Sequence, residues 1–262
     1  MSFGELINQV KHGETRITIG AEWGQGRAAF GGIVAALVYQ SMLDAKEKLP
    51  PVRSLQISFI GPVAVDAPLE LETEVLRQGK SVSQIMGRGI QNGQTQVTVI
   101  GSFGRAREST ISVHEETQVF HETPDALTAM PYIEGVIPAF TNFFDFRYCT
   151  KLPFSASSDT QLKGFVRFKN VHEEMDNAAL LGLVDAWPPT PLPMMKTPAP
   201  ASSLNWSIDF IDDQPDLEPG EYCQYLAEII HAQDGYAYTR AKIWNRKGKL
   251  IAISQQTVTI FG

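Results

Sequence analysis

The sequence predicts an α+β fold in which a long central helix is wrapped by a curved antiparallel sheet, and it predicts that arrangement twice in tandem. Three observations point there. A helical stretch, "GRAAFGGIVAALVYQSML", precedes four strands; a second, "MDNAALLGLVDAW", precedes four more; and both halves share the run strand, Gly turn, strand, Gly turn, strand at an offset of about 155 residues. Identity between the halves is negligible, so the repeat is one of architecture, read from periodicity.

Each element has its own warrant. From 26 to 47, Val34, Leu37, Val38 and Leu43 form one apolar stripe at helical spacing, and "EKLPP" stops the helix. Gly31 and Gly32, poor helix formers, stand side by side where its first turn is expected. The segments "RSLQISFIGPV", "LELETEVLRQG", "SVSQIMGRGIQ" and "TQVTVIGSFG" alternate apolar positions such as Leu55, Ile57 and Phe59, and Asn92-Gly93 is a two-residue hairpin signal. In the second half Asp176 is a good helix cap, "PP" interrupts the helix, and "SLNWSIDFI", "GEYCQYLAEIIHA", "GYAYTRAKIWN" and "KLIAISQQTVTI" follow as strands, with "RKGK" as the last turn. Between the halves, residues 106–140 are polar and acidic, contain Pro124, Pro131 and Pro138, and lack periodicity. They read as a surface linker joining domains at 1–105 and 141–262.

Composition narrows the function classes. The 262 residues are 43% hydrophobic and 19% charged, a folded globular profile. A net charge of −7 opposes a long anionic polymer, so nucleic acid is not an expected partner. The two cysteines, Cys149 and Cys223, sit in apolar or aromatic surroundings without metal-site spacing, and are expected to be reduced thiols; no metal site is expected. The N-terminus lacks the pattern of a signal peptide, and no run reaches the roughly 18 apolar residues of a membrane span, so a soluble, cytoplasmic protein is expected.

Particular residues then add to the order of elements. "AAFGGIVAALVYQSM", "LRQGKSVSQIMGRGIQNGQ", "LLGLVDAWPP" and "LIAISQQTV" together resemble the acyl-CoA thioesterase II (TesB-like) family, whose members carry two hotdog folds in tandem. The resemblance implies a double hotdog, hydrolysis of the acyl-coenzyme A thioester without a cofactor, and assembly into a homo-oligomer, a dimer or larger. It further implies an Asp, a Ser or Thr, and a Gln that hold and activate a water. By matching segments these fall on Asp185 in "LVDAW", Ser203 in "SSLNWS" and Gln256 in "ISQQTV", with Ser where Thr is common and Asn205 where Asp is frequent. Gln255 and Gln256 are strand neighbours, so only one of them can face the site.

The chemistry needs a base, groups that orient water, and oxyanion donors. Asp185 lies late in its helix, where the dipole disfavours a carboxylate, and its company "LLGLVDAW" faces it toward a wall. Ser203 and Gln256 can orient water but cannot usefully take its proton. The first N–H groups of a helix have no internal acceptor, so Gly32 N–H is expected to donate to the oxyanion while Gly31 gives clearance; a side chain at Gly32 is expected to damage catalysis more than folding. With the acid in one half and the glycines in the other, the site is expected between the halves, with a vestigial counterpart possible. For the coenzyme A phosphates the basic segment containing Arg240, Lys242, Arg246, Lys247 and Lys249 is the leading candidate, with Arg77 and Lys80 as competitors. Phe30, Trp23 or Trp187 would line the acyl slot, core packing being the alternative role.

Other chemistries lack their residues. A hydratase on this fold needs a His base, and Phe30, not His, precedes the glycines, while His172 and His231 stand outside any helix-start motif. No G-x-S-x-G, G-x-G-x-x-G or P-loop pattern occurs. The alternative from another class is a non-catalytic acyl-CoA or lipid-binding hotdog protein, kept open by the departures at Ser203 and Asn205.

Overall fold

Period-two segments joined by tight turns can satisfy their backbone groups only by pairing, and here they pair into one sheet. The computed structural model describes residues 1–45, 48–114, 117–171 and 173–261. In chain order the elements are α1 (Phe3–Lys11), β1 (Arg16–Thr18), β2 (Gly24–Gln25), β3 (Ala28–Ala29), α2 (Gly31–Leu43), β4 (Val52–Phe59), β5 (Pro68–Gln78), β6 (Val82–Gln91) and β7 (Gln94–Gly104). There follow β8 (Phe144–Tyr148), β9 (Gln161–Phe168), α3 (Asn177–Asp185), β10 (Ala201–Phe210), β11 (Cys223–Gln233), β12 (Tyr236–Trp244) and β13 (Leu250–Ile260).

Eleven strands make an antiparallel sheet in the order β1-β5-β6-β7-β4-β10-β13-β12-β11-β9-β8. Its centre is the pair β4 and β10, where Ile57 faces Trp206 and Leu55 faces Ile208, all buried. Outward from that seam the order is mirrored: β7, β6, β5 on one side and β13, β12, β11 on the other. The hairpin between β6 and β7 turns at Asn92 (φ 52°) and Gly93 (φ 73°), the positive-φ pair that Asn-Gly signals. Helices α2 and α3 pack against each other.

Helix α2 differs from the expected single apolar stripe, and α3 is enclosed in the same way. In α2 every residue from Gly32 to Gln40 is buried, as is Met42, and in α3 every residue from Asn177 to Val184 is buried. A helix apolar on all sides is one enclosed on all sides. The first helix also begins at Gly31 rather than at 26, because 24–25 and 28–29 form a small hairpin. The glycines are therefore the first two residues of α2, and the expected helix end at Lys46 and Glu47 lies outside the described residues.

Three features went unread in the sequence. Helix α1 carries a full capping box, with Ser2 accepting from Glu5 N and Glu5 accepting from Ser2 N, and buries Phe3, Leu6, Ile7 and Val10. Strands β8 and β9 extend the second half of the sheet. The segment expected to cross the surface as a linker is anchored by Phe120 and Phe140, both buried, and the Gln224 side chain bonds Phe120 N and Gln118 O. Among the described residues no helix is long and apolar enough to cross a membrane.

Candidate active site

The packing of α2 against α3 brings the start of one to the end of the other. Asp185 is the last residue of α3, a helix fixed at its start by Asp176 Oδ1 accepting from Ala179 N at 2.9 Å. Its carboxyl meets the first turn of α2, where the Gly32 N–H donates to it. A Cβ on Gly31 would stand 2.8 Å from Asp185 Oδ2 and 3.1 Å from the Phe59 ring, so glycine there is clearance for the carboxyl. A Cβ on Gly32 would strike the Phe30 ring and lie 3.1 Å from Asp185 Cβ.

From the sheet side Gln256 Nε2 donates to Asp185 Oδ1 at 3.0 Å, and Ser203 Oγ donates to Gln256 Oε1 at 2.8 Å. Gln256 faces inward on β13, whereas Gln255 is exposed on the other face. A bulge brings Ser203 to the same side. Trp206 pairs with Gln256, but between Ser203 and Asn205 the register shifts, so that Ser203 and not Leu204 stands opposite Val258. One extra residue thus re-aims the hydroxyl toward the amide. Asn205 is exposed and paired with Thr257, away from the carboxyl.

These contacts set the acidity. Asp185 keeps part of its surface exposed as a residue, yet its carboxyl is enclosed, and loss of hydration pushes its pKa up to about 7 against the opposing effect of the Gln256 and Gly32 hydrogen bonds. A carboxyl that changes protonation near neutral pH can accept a proton from water there. Ser203, Gln256, Asp185, Gly31 and Gly32, predicted from two distant parts of the chain, are brought together.

Other predicted residues are placed elsewhere. Arg240 pairs with Gln255, and Lys242 with Ile253, so strand alternation puts both on the face opposite Gln256 and Asp185. Trp23 is fully buried, stacked on Phe143 at 4.0 Å, with its Nε1 donating to Met1 O. Phe30 is likewise fully buried and stacks on Phe140 at 4.2 Å, with only its edge at Gly32. Both pack in the core, the alternative role expected for them. Trp187, two residues beyond Asp185, is buried and stacks on Tyr225, a residue sequence reasoning missed. A cavity of about 620 Å³, lined by Phe165, Arg167, Tyr222 and Arg246, lies on the outer face of the sheet; of the residues expected at the coenzyme A phosphates it contains Arg246. His231 is exposed on β11, and His172 lies outside the described residues. Among the described residues no group of three or more His, Cys, Asp and Glu could hold a metal ion.

Residues 19–104 match the model of the acyl-CoA thioesterase N-terminal domain, and residues 124–260 that of the acyl-CoA thioesterase C-terminal domain. No curated protein sequence matches. Among solved structures, a hot dog fold protein of unknown function from Alicyclobacillus acidocaldarius is similar over 94% of this chain and 92% of its own, with TM-score 0.81 and 21% identity. An acyl-CoA thioesterase II from Mycobacterium marinum covers 94% and 92% of the two chains at TM-score 0.73 and 20% identity. The dehydratase domain of RzxB from Pseudomonas fluorescens also aligns, over 94% of each chain, at TM-score 0.56 and 12% identity. These likenesses give the hotdog fold; the chemistry must come from the residues of the site.

Proposed function

The chain belongs to the acyl-CoA thioesterase II family, and from that premise we propose that it hydrolyses the thioester of acyl-coenzyme A to a free carboxylic acid and coenzyme A at the Asp185 site. The observation that supports this most is the enclosed Asp185 carboxyl, held between Gln256 Nε2 and Gly32 N–H and titrating near neutral pH. We also read the mirrored sheet as a double hotdog, with domains at 1–105 and 141–262 and residues 106–140 joining them.

In the proposed reaction Asp185 takes a proton from a water that Gln256 and Ser203 orient, and the water oxygen attacks the thioester carbonyl. The carbonyl π electrons move onto oxygen, where Gly32 N–H and the positive end of α2 stabilise the charge. That N–H donates to Asp185 in the substrate-free site, so its transfer to the substrate would also withdraw a bond that favours the ionised carboxyl. The base then becomes stronger as the substrate becomes a better electrophile. Collapse of the intermediate breaks the C–S bond, and the coenzyme A sulfur leaves with the proton held by Asp185.

The direct test is thiol release from acyl-CoAs of graded chain length. Turnover above background is expected for part of the series, with kcat/KM rising with pH to a plateau above about pH 7 as the Asp185 carboxyl ionises. Binding of every acyl-CoA with cleavage of none would replace the enzyme by a non-catalytic acyl-CoA binder.

A companion measurement concerns the amide. Gln256→Leu removes a donor to the ionised carboxyl, and such a donor holds the pKa down. The rising limb of the pH profile should therefore move to higher pH, in addition to a fall in kcat of about tenfold to a hundredfold. A profile that stays in place would separate Gln256 from the acidity of Asp185.

A further inference from the structure

Near the edge of the sheet, β8, β9 and β11 bring Tyr148, Gly164 and Tyr225 into one row. Trp187, two residues beyond Asp185, lies over the glycine: a Cβ there would stand 2.6 Å from Trp187 Cη2, so only glycine admits the indole. The indole stacks on Tyr225 with ring centroids 4.8 Å apart and planes at 9°, and meets Tyr148 edge-on at 5.1 Å. The cluster is an aromatic box on the side of the sheet that Gln256 occupies. From Tyr225 the register runs through Ile243 to Ala252, and the next row toward Gln256 holds only Ala227, Ala241 and Ser254. The negative charge of Asp185 acts on the Tyr225 hydroxyl, further disfavouring its ionisation.

One of the three rings carries a buried polar atom without a partner. Trp187 Nε1 is buried with no acceptor, and among the described residues neither the Tyr148 nor the Tyr225 hydroxyl makes a hydrogen bond. Trp187 is 5% exposed, so its indole N–H is an interior donor of the kind that ordinarily finds an acceptor. Other indoles of the fold do: Trp206 Nε1 donates to Ser254 Oγ and Trp23 Nε1 to Met1 O. Trp244 Nε1 is also unpartnered, but that ring packs with Phe120 on the outer face. An unsatisfied buried indole N–H, stacked on one tyrosine and edge-on to a second, both with hydroxyls that bond no described residue, marks a place for a ligand atom near the candidate base.

We propose that Trp187, Tyr225 and Tyr148 form an acyl subsite that selects acyl groups carrying a hydrogen-bond-accepting oxygen beyond the thioester, as in hydroxyacyl and oxoacyl chains. The assignment rests on the thioesterase reading of the Asp185 site. A plain alkyl chain entering the box would leave the indole N–H unpaired and displace water from the tyrosine hydroxyls, whereas an oxygen on the chain supplies an acceptor. Sites built to pair a substrate oxygen discriminate strongly against the analogue that lacks it, because the cost falls on the site's own buried groups.

The test measures kcat/KM for hexanoyl-CoA and for its 3-hydroxy, 5-hydroxy and 5-oxo derivatives, using the full-length protein and its Tyr225→Phe and Tyr148→Phe variants, each of which loses one oxygen and keeps its ring. At least one oxygenated thioester should exceed hexanoyl-CoA by about tenfold or more in the wild type. That ratio should fall toward one in Tyr225→Phe, as the oxygenated substrate loses more than the plain one does. Equal rates for plain and oxygenated chains, or a ratio unmoved by either variant, would overturn the subsite while leaving thioester hydrolysis standing. Failure of the wild type to cleave any of the four, or any chain of the graded series, would overturn the thioesterase reading and the subsite with it.

Discussion

Asp185→Asn should abolish thioester hydrolysis and at the same time make the folded protein more stable above neutral pH. The loss of rate is expected to be about a thousandfold, the scale of removing a positioned general base. The gain in stability follows from the same burial. A carboxyl whose pKa is raised in the folded state to about 7 opposes folding once it ionises in the unfolded chain, near pH 4. The cost is absent below that point, grows as pH rises toward 7, and is constant above it, where it reaches on the order of a few kcal/mol. Asn carries no charge and still fits, since the Gln256 amide can turn to accept from it. The variant should therefore unfold at a temperature several degrees above the wild type at pH 8, with the gap shrinking toward pH 4. A variant that hydrolyses at near wild-type rate would remove Asp185 from the reaction, and equal unfolding temperatures at both pH values would show that its charge is not buried.

The second large effect is expected at Gly31. An alanine methyl there would sit 2.8 Å from Asp185 Oδ2 and 3.1 Å from Phe59, a half-buried ring with room to give. The carboxyl must move, and displacement of a base by a fraction of an ångström to an ångström costs about a hundredfold in rate. Stability should change little, because alanine is the better helix former by up to about 1 kcal/mol and offsets part of the contact. Gly32→Ala is the contrasting case. Its methyl would strike the fully buried Phe30 ring, so folding should suffer along with activity. A side chain at Gly32, expected from the sequence to damage catalysis more than folding, is on this geometry expected to damage both, and Gly31 is the position that separates them. Steady-state rates and thermal unfolding of the two variants decide it: a Gly31→Ala enzyme with unchanged kcat would mean that the carboxyl position is not critical.

Much of this was legible in the sequence because the signals were local. Alternation in "SVSQIMGRGIQ" and "TQVTVIGSFG", with Asn92-Gly93 between them, specifies a hairpin without reference to the rest of the chain. The cap at Asp176 and the apolar run after it specify α3. What escaped depends on register between strands. Gln255 and Gln256 were correctly expected to face opposite ways, but placing Arg240 on the face of Gln255 requires knowing that those two residues pair across the hairpin. Ser203 reaches its face only through a bulge that nothing in "SSLNWS" announces. Tyr225 and Tyr148 meet through an intervening strand, β9, that went unread. Helix α1 is the exception, since the capping box at Ser2 and Glu5 was visible and went unused.

The seam between β4 and β10 acquires a meaning beyond cohesion once the helices are considered with it. A hydrogen bond tolerates a few tenths of an ångström, whereas sliding one helix past another by a single residue moves it about 1.5 Å. The Gly32 N–H and the Asp185 carboxyl belong to elements about 150 residues apart in the chain, and their alignment is fixed by the packing of α2 on α3 and by pairs such as Ile57 with Trp206. Turnover is in that sense a gauge of how the two halves are indexed to each other. Wear at the seam would register as lost activity well before it registered as lost structure.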